Sequence, residues 1–445
     1  MGDGSSVLLG WRDVTVRRMV ETDDGEVVVE IETVRGLVTC GGCGLVARPK
    51  DRRWVTVRDV PMGARSVRVE WWKRIWECVD PSCLVRTWTE QRPDIAAPRR
   101  VLTARAEEWV TDRVEAVEGT VESCRRRLGV AWGTVMEAVR RVGGGRLGDD
   151  AGSWEFPTQV GFDETVMSPA SRGRRRRFVT SVVDTRSGRI ADVFEGRDAK
   201  DLREWMRKQS AEHLEAVKVV SVDPHEGYRA AICGVDPVTG QVSALWDVTL
   251  VVDGFHIVRL ANQALTKCRQ RVQNETLGHR GRKRDPLFGV RKLLLMAAER
   301  VDERGWERIH RALREGDADG LVQDAWVAKE YVRDVYLTDD PAAAEAALDR
   351  ATEWCLDDES GPELRRLAKT LTRWRTEILA HHHTGASNGK TEAANLTIKT
   401  VKRSGRGFRN FANYKLRILL AGRGPARHNH TVTSIRTRRH PRLVA

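Results

Sequence analysis

A series of short apolar segments between residues 159 and 252 constrains the fold of this chain more than any other feature. Runs of this length, bounded by turn residues, are typical of buried strands, and strands that alternate with helices form an α/β layer. Residues 254–385 carry helical patterns without strand signals, so we expect a helical block after the sheet. The predicted strands cover residues 159–165, 177–183, 189–194, 217–222 and 248–252, and a helix is predicted over residues 200–212.

The first hundred residues carry a separate β pattern. Alternating apolar residues after Asp24-Gly25 predict a hairpin over residues 11–38, and residues 67–76 predict a further strand. Two prolines within residues 91–100 indicate a linker at the end of this region.

Four cysteines in this β region are spaced as two metal-binding pairs. Cys40 and Cys43 enclose two glycines, and Cys78 and Cys83 supply the second pair. Two pairs separated by strand-like sequence suit a tetrahedral structural zinc ion, whereas a redox CxxC needs a single pair beside a βαβ unit. We therefore predict a zinc ribbon, and we expect the remaining four cysteines to be buried thiols.

Residues 101–142 predict helices, two of which meet at a turn at Gly129. A helix-turn-helix places the start of its second helix in the major groove of DNA. An ordinary αα-hairpin explains the same spacing, and the nearby cysteine pairs and arginines favour DNA binding. Gly143-Gly144-Gly145 is expected to close the segment as a hinge. The residues expected near DNA in this segment are Arg125, Arg126, Trp132 and Thr134.

Three acidic residues stand where a carboxylate is costly or well placed for a ligand. Asp163 lies in the first strand of the predicted sheet, Asp223 ends a later strand, and Glu392 falls in the first turn of a helix. Such carboxylates can hold two magnesium ions, which stabilise both oxygens of an in-line displacement at a phosphodiester. A cap or a turn explains each acid taken singly. Asp253 competes with Asp223, and Glu164 competes weakly with Asp163.

The helix that carries Glu392 leads into a basic region. Helical spacing predicts that Glu392 shares one face with Asn395, Lys399 and Lys402, opposite an apolar face. From position 399 to the end there are thirteen Lys or Arg and no Asp or Glu, so this stretch carries the whole formal net charge of +13. Concentrated positive charge indicates a polyanion such as nucleic acid. Further predicted DNA contacts in this stretch are Lys399, Lys402, Arg403, Arg406 and Arg409.

Together these motifs resemble the ISL-three family of bacterial insertion-sequence transposases. Residues 161–164 resemble the block around the first catalytic acid of that family, and residues 221–223 with the following Gly227-Tyr228 motif resemble the block around the second. Residues 252–256 resemble its Asp-x-Phe-His segment. The stretch 387–411 resembles its last catalytic block and the basic signature that follows, although Ala393 stands where the family often has glycine. The cysteine pairs resemble its zinc-binding region.

The resemblance implies a recombinase with an RNase H-like catalytic domain of the DDE type that depends on magnesium, or on manganese in its place. Such an enzyme hydrolyses a phosphodiester at each element end, and the freed 3′-hydroxyl attacks target DNA. The implied partners are DNA and further copies of the chain, in a homodimer or larger synaptic assembly. The implied catalytic metal ligands are Asp163, Asp223 and Glu392, and the implied supporting residues are Asp253, His256 and Asn395.

A multidomain α/β organisation in six segments follows from these interpretations. No apolar run approaches the roughly 18 residues that suggest a membrane span, so we expect a cytoplasmic, nucleoid-associated protein without a membrane partner. The segments are a zinc-binding domain (1–95), a helix-turn-helix (100–145), the first part of an RNase H-like mixed sheet (153–253), a helical insertion (254–385), the last helix of the core (386–422) and a basic tail (423–445).

Two other functions remain open from the sequence. A sequence-specific DNA-binding repressor would need only the zinc and helix-turn-helix modules, with the rest of the chain as a dimerisation scaffold. A junction-resolving nuclease of the same fold would share the three acids but would need no N-terminal module that reads sequence. The placement of acids at strand and helix ends beside a basic stripe favours the transposase.

Overall fold

The chain divides into two compact units in the computed structural model. Residues 1–154 and 397–445 form the flanking unit, and residues 155–396 form the central unit. The structure describes residues 10–34, 36–153, 155–171, 173 and 175–423. The predicted basic tail, apart from Arg423, lies outside the described residues.

The flanking unit begins with a five-stranded sheet. Its strands are β1 (Val14–Glu21), β2 (Val27–Thr33), β3 (Arg48–Met62), β4 (Arg65–Glu77) and β5 (Thr87–Thr89). They follow the order β1-β2-β4-β3, with β5 paired to β4. The predicted hairpin is confirmed, since β1 and β2 pair antiparallel around a turn in which Gly25 has a φ of 79°.

Two features of this sheet differ from the prediction. The long strand β3 was missed because its first six residues are polar or proline, so it lacks apolar alternation; it forms by pairing with β4 along most of its length. The predicted linker at residues 91–100 is a packed segment, because Ile95 is fully buried among the sheet's core residues.

Three helices follow the sheet: α1 (Ala104–Glu115), α2 (Val121–Leu128) and α3 (Trp132–Ser153). Thr120 caps α2 with a reciprocal capping box, and Gly129 ends it with a φ of 65°, which only glycine adopts at little cost. The predicted turn is therefore confirmed. The predicted glycine hinge is wrong, because α3 continues through residues 143–145 without a break.

Buried polar contacts join these helices to the sheet. Asp59 in β3 is fully buried, and its carboxylate accepts hydrogen bonds from Thr103 Oγ1 at 2.6 Å and from Arg105 Nε at 2.8 Å. Thr103 in turn caps α1. A buried carboxylate that is fully hydrogen-bonded fixes the start of this helix against the strand.

The C-terminal helix α16 (Phe411–Arg423) packs on the same helices. Leu420 belongs to their buried apolar core, and Leu416 packs against that core from the side. Arg140 on α3 donates a hydrogen bond to Asn413 Oδ1 at 3.0 Å. Helix α16 thus completes the helical part of the flanking unit that the structure describes.

The central unit is built on a second five-stranded sheet with the order β10-β9-β6-β7-β8. Strand β7 pairs antiparallel with both β6 and β8. On the other side of β6, β9 pairs parallel with β6, and β10 pairs parallel with β9. All five predicted strands are confirmed. Their bounds are β6 (Gln159–Ser168), β7 (Arg177–Asp184), β8 (Ile190–Glu195), β9 (Val219–Val222) and β10 (Thr249–Val252).

Short helices connect the strands of this sheet. The predicted helix over residues 200–212 is divided in two, because α4 ends at Arg207 and Ser210 caps a new helix. The connecting helices are α4 (Ala199–Arg207), α5 (Ala211–Ala216) and α6 (Glu226–Ile232).

A block of helices follows β10, as predicted. Its last helix packs on the sheet itself, where Ala380 and the nearby Ala386 contact Val219 and Val251. The helices are α7 (Gly254–Leu277), α8 (Pro286–Gly289), α9 (Arg291–Leu294), a 3₁₀ turn (Ala298–Arg300), α10 (Glu303–Gly316), α11 (Leu321–Asp334), α12 (Pro341–Leu356), α13 (Pro362–Arg373) and α14 (Arg375–Thr384).

Helix α15 (Gly389–Ser404) comes next and carries the third predicted acid. None of the helices within the described ranges combines the length and the apolar character needed to cross a membrane.

Two adjacent glycines in α3 provide a test of this packing. A Cβ at Gly143 would lie 2.7 Å from Leu420 Cδ1, whereas a Cβ at Gly144 would meet nothing within 4 Å. We expect Gly143→Ala to lower the free energy of unfolding by about 1–2 kcal/mol through overpacking. Gly144→Ala should raise it by up to about 1 kcal/mol, because alanine favours a helix over glycine. Urea unfolding of the full-length variants checks this, and equal effects would contradict the packing.

Candidate active site and metal centre

The four N-terminal cysteines come together in the flanking unit. Cys40 and Cys43 precede β3, and Cys78 and Cys83 follow β4, so pairing of the two strands brings the pairs to one end of the sheet. Their sulfur atoms all lie within 4.8 Å of one another. Cys40 Sγ lies 3.8 Å from Cys83 Sγ, and Cys43 Sγ lies 3.5 Å from Cys78 Sγ.

These distances fit a tetrahedral zinc site. Four sulfur ligands at the usual Zn–S distance of about 2.3 Å stand about 3.8 Å apart. The backbone N–H groups of Cys43 and Gly42 lower the pKa of Cys40 to about 7, which favours the thiolate. Gly42 is required by space, since a Cβ there would lie 3.0 Å from Cys83 Sγ. The cluster therefore suits Zn²⁺ with no open coordination position. Of the other cysteines, Cys233 is exposed, contrary to the expected buried thiol.

Two of the predicted acids lie at neighbouring strands of the central sheet. Gly161 in β6 pairs in register with Ser221 in β9, and Asp163 and Asp223 each follow two residues later. Burial raises the pKa of Asp163 to about 6 and that of Asp223 to about 7. The charge of Asp163 contributes to the shift at Asp223, as expected for like charges at short range.

Asn395 connects Asp163 to helix α15. Its Nδ2 donates to Asp163 Oδ2, and its Oδ1 accepts from Thr165 Oγ1 at 3.1 Å and from Ser181 Oγ at 3.4 Å. The side chain is therefore only 4% exposed. The predicted face of α15 was wrong in this respect: Asn395 lies with the buried residues of the helix, whereas Glu392 and Lys399 are exposed.

His256 and Asp253 form a second network around Asp223. His256 Nδ1 lies 3.0 Å from Asp223 Oδ1 and 3.1 Å from Asp253 Oδ2. Burial disfavours the charged imidazole, but the two carboxylates outweigh it and raise the pKa of His256. The backbone N–H of Asn388 donates to Asp253 Oδ1 at 2.9 Å. Asp253 thus links the end of β10 to the start of α15.

Glu164 contributes more to the site than its sequence position suggested. Tyr228 donates a hydrogen bond to Glu164 Oε2 at 3.1 Å. The negative charge of Glu164 also raises the pKa of both Asp163 and Asp223. Sequence reasoning treated Glu164 only as a weak competitor of Asp163; its neighbour in the structure, Tyr228, lies in the motif that follows Asp223 and was the available signal.

Glu392 occupies the first turn of α15 and is exposed. Among the residues that the structure describes, the cysteine cluster is the one group of three or more possible ligand side chains with all ligand atoms within 4.8 Å. The structure therefore does not bring the Glu392 carboxylate to ligand distance of both Asp163 and Asp223. It does hold the helix on both sides of Glu392, through the backbone of Asn388 and the side chain of Asn395.

Several predicted DNA contacts line a cleft of about 730 Å³ within the flanking unit. Trp132 at the start of α3 and Arg126 on α2 form one wall, and Arg403, Arg406 and Arg409 lie along the segment after α15. Trp132 is 46% exposed. The other four predicted contacts do not line this cleft. Arg125 pairs with Glu122, and Thr134 is half-buried on α3. On α15, Lys399 is exposed and Lys402 is half-buried.

Comparison with known proteins gives two family matches. A family model of DDE type, described as the transposase of the ISL3 group, matches residues 160–418. A second model, described as the zinc finger of transposases IS204, IS1001, IS1096 and IS1165, matches residues 37–83. No solved structure matches the chain.

Two curated relatives are also similar to the chain. The transposase for insertion sequence element IS1557 of Mycobacterium tuberculosis is 29% identical over 297 residues, which are 61% of this chain and 63% of that protein. The chain thus aligns with less than two thirds of that relative's length. The transposase for insertion sequence element IS1001 of Bordetella parapertussis is 23% identical over 431 residues, 94% of this chain and 97% of that protein.

The cysteine cluster provides a test of the metal centre. Cys40→Ser should reduce zinc in the purified protein from one ion per chain to well below one, and should destabilise the ribbon by several kcal/mol, on the order of what structural zinc contributes. Metal analysis and thermal melting check both effects. The exposed Cys233 provides the control, because Cys233→Ser should change neither. A Cys40→Ser protein with full zinc content and unchanged melting would contradict the assignment.

The raised carboxyl pKa values predict a pH dependence of stability. These acids have a higher pKa in the folded chain than in the unfolded chain. Between about pH 4 and about pH 7 the folded chain therefore binds more protons, and its free energy of unfolding falls as the pH rises. In magnesium-free buffer at pH 7.5, we expect Asp223→Asn to be about 1–2 kcal/mol more stable than the parent, with a smaller difference at pH 5. Urea unfolding at both pH values checks this, with the exposed Asp319→Asn as control. A difference that does not depend on pH would refute the burial effect.

Proposed function

Because this chain belongs to the ISL3 family of DDE transposases, whose model matches residues 160–418, we propose that it catalyses transposition of an insertion sequence. The reaction is hydrolysis of a phosphodiester at each element end, followed by attack of the freed 3′-hydroxyl on target DNA. The observation that carries this proposal is the pair of partly buried carboxylates with raised pKa values, Asp163 in one strand and Asp223 at the end of the adjacent strand. Perturbed acids of this kind are characteristic of catalytic sites.

The central sheet is the proposed RNase H-like core. Three antiparallel strands followed by two parallel ones, with the first strand in the middle, is the order expected for such a core. The acid on the first strand and the acid after the fourth then meet at the carboxyl end of the parallel pair, where α/β folds bind ligands. The helices of residues 254–385 form the proposed insertion before the last helix of the core.

Asp163 and Asp223 fit a divalent metal site. Carboxylate oxygens are the hard ligands that Mg²⁺ and Mn²⁺ prefer, and a bound cation would offset the cost of burying both acids. We propose Glu392 as the third ligand. Two ions bound by these residues would lower the pKa of an attacking water or hydroxyl and would offset charge on the reacting phosphate. The chain's own contribution is to orient Asp163 through the amide of Asn395 and to place the His256 imidazole 3.0 Å from Asp223 Oδ1.

The flanking unit is the proposed DNA-reading part. A zinc site closed by four cysteines has no open position for chemistry, so its zinc stabilises the ribbon. The start of α3, with Ala131 and Trp132 exposed after the Gly129 turn, has the position that a recognition helix needs to reach base edges. Both element ends must be held together during strand transfer, so we propose a dimer or a larger assembly on DNA.

The competing repressor function leaves the central unit unexplained. A dimerisation scaffold has no need to place Asp163 and Asp223 side by side in a partly buried position, because withdrawing carboxylates from water lowers the stability of the fold. The support that Asn395 and His256 give to these acids has a physical reason only if the acids act together.

Glu392→Gln tests the proposed catalytic role. Glutamine keeps the size of the side chain and removes its charge, so we expect cleavage of element-end DNA with magnesium to fall by about a hundredfold or more. Binding of the same DNA, measured by fluorescence anisotropy, should be unchanged. Glu307, exposed on α10, provides a matched control, since Glu307→Gln should cleave normally. Normal cleavage by Glu392→Gln would remove Glu392 from the catalytic set.

A further inference from the structure

The cleft in the flanking unit is lined by five arginines. Arg417 on α16 lines it together with Arg126, Arg403, Arg406 and Arg409. Among the residues that the structure describes, Glu122 is the one carboxylate that lines the cleft with these five guanidinium groups, and it already pairs with Arg125 and Arg126. The cleft is therefore strongly positive.

Arg417 differs from the other arginines of the cleft because it is buried. Its residue is only 3% exposed, whereas Arg403, Arg406 and Arg409 are more accessible. Its Nη2 has a long hydrogen bond of 3.5 Å to Ser404 Oγ, and its guanidinium lies 5.4 Å from the centre of the Phe408 ring. Within the described part of the chain, its Nε has no hydrogen-bond partner and no carboxylate pairs with it.

The surrounding residues hold Arg417 in this position. Phe408 stacks on Tyr414 at 4.6 Å, which fixes the ring beneath the guanidinium. A Cβ on Gly405 would lie 3.2 Å from Arg417 Nη1 and 2.8 Å from the Phe408 ring, so the loop fits closely around both side chains. Tyr414 also donates a hydrogen bond to the carbonyl of Ile398 at 3.4 Å. The guanidinium is thus positioned in advance rather than disordered in solvent.

A buried charge without a counter-charge lowers stability unless a ligand balances it. An apolar side chain of similar volume would fill the space at lower cost. An anion that enters the cleft would pair with Arg417 and contact the more accessible arginines at its rim. Arginine forms two parallel hydrogen bonds with phosphate oxygens, which makes phosphate the best match in shape and charge.

We propose that Arg417 is the centre of a phosphate-binding site that receives a backbone phosphate of DNA. The identification of the phosphate as that of DNA rests on the proposed function, whereas the anion site rests on the cleft alone. Trp132 is exposed at the same cleft and marks the start of the proposed recognition helix. A phosphate held here would fix the register of that helix on the duplex without reading sequence.

Arg417→Met in the full-length protein tests this site. Methionine keeps most of the side-chain volume and removes the charge. We expect the affinity for a duplex of unrelated sequence to fall about tenfold. The slope of log K against log salt should become shallower by about 0.9, the value for one lost phosphate contact. Arg308, exposed on α10 of the central unit, provides the control, and Arg308→Met should change neither quantity.

Thermal melting separates binding from a structural role. Without DNA, Arg417→Met should melt at the same temperature as the parent or higher, because it removes an unbalanced buried charge. Inorganic phosphate should raise the melting temperature of the parent more than that of the variant. A variant that melts at a lower temperature and binds DNA normally would show a structural role and overturn the proposal.

Unchanged DNA affinity and salt slope in Arg417→Met would also overturn the proposal, even if phosphate stabilises the parent, because the ligand would then be a free anion or an acidic peptide.

The test of the Arg417 site is separate from the test of the catalytic proposal. Loss of cleavage in Glu392→Gln says nothing about the Arg417 site, and weaker duplex binding by Arg417→Met would support the site even in a chain that cuts no DNA.

Discussion

Two partly buried carboxylates that lie side by side determine how the central unit is arranged. Asp163 and Asp223 stand on neighbouring strands, and withdrawing both charges from water raises both pKa values. Neighbouring groups reduce this cost: an amide donates to Asp163, and an imidazole lies between Asp223 and Asp253. Asn395 provides the amide and Asn388 binds Asp253, so the bonds that stabilise the acids also attach helix α15 to the sheet.

The flanking unit has a buried charge of the opposite sign. Arg417 lies beneath a cleft of further arginines, and Glu122, which also lines that cleft, is engaged by Arg125 and Arg126. In both units, the protein's own side chains leave a buried charge incompletely balanced. A divalent cation would balance the first charge and a phosphodiester the second. DNA with bound metal ions offers both a divalent cation and a phosphodiester. The acids of the central unit and Arg417 of the flanking unit therefore support the same class of partner.

Sequence patterns predicted the parts of the fold where local signals agree with the tertiary structure. The central strands are apolar runs bounded by turn residues. At the Gly129 turn, a glycine stands between two segments with helical spacing. Strand β3 was missed because its polar first half becomes a strand only by pairing with β4, which is a non-local effect. The glycines at 143–145 suggested a hinge from propensity, but the close contact of Gly143 with Leu420 favours a continuous helix.

The sequence predicted the acids of the candidate site that lie in or directly after strands. It did not predict which side chains of α15 face the sheet, because that depends on the rotation of the helix about its axis. Asp163 and Asp223 follow from their positions after apolar runs, whereas Asn395 was assigned to the exposed face because the helix's polar stripe was drawn from spacing alone. Helical positions 391, 394, 395 and 398 form the buried stripe, so Glu392 lies at its edge. Tertiary contacts fix this rotation of the helix: the Asn388 backbone bonds to Asp253 and the Asn395 side chain bonds to Asp163, and residue spacing along the helix does not reveal either bond.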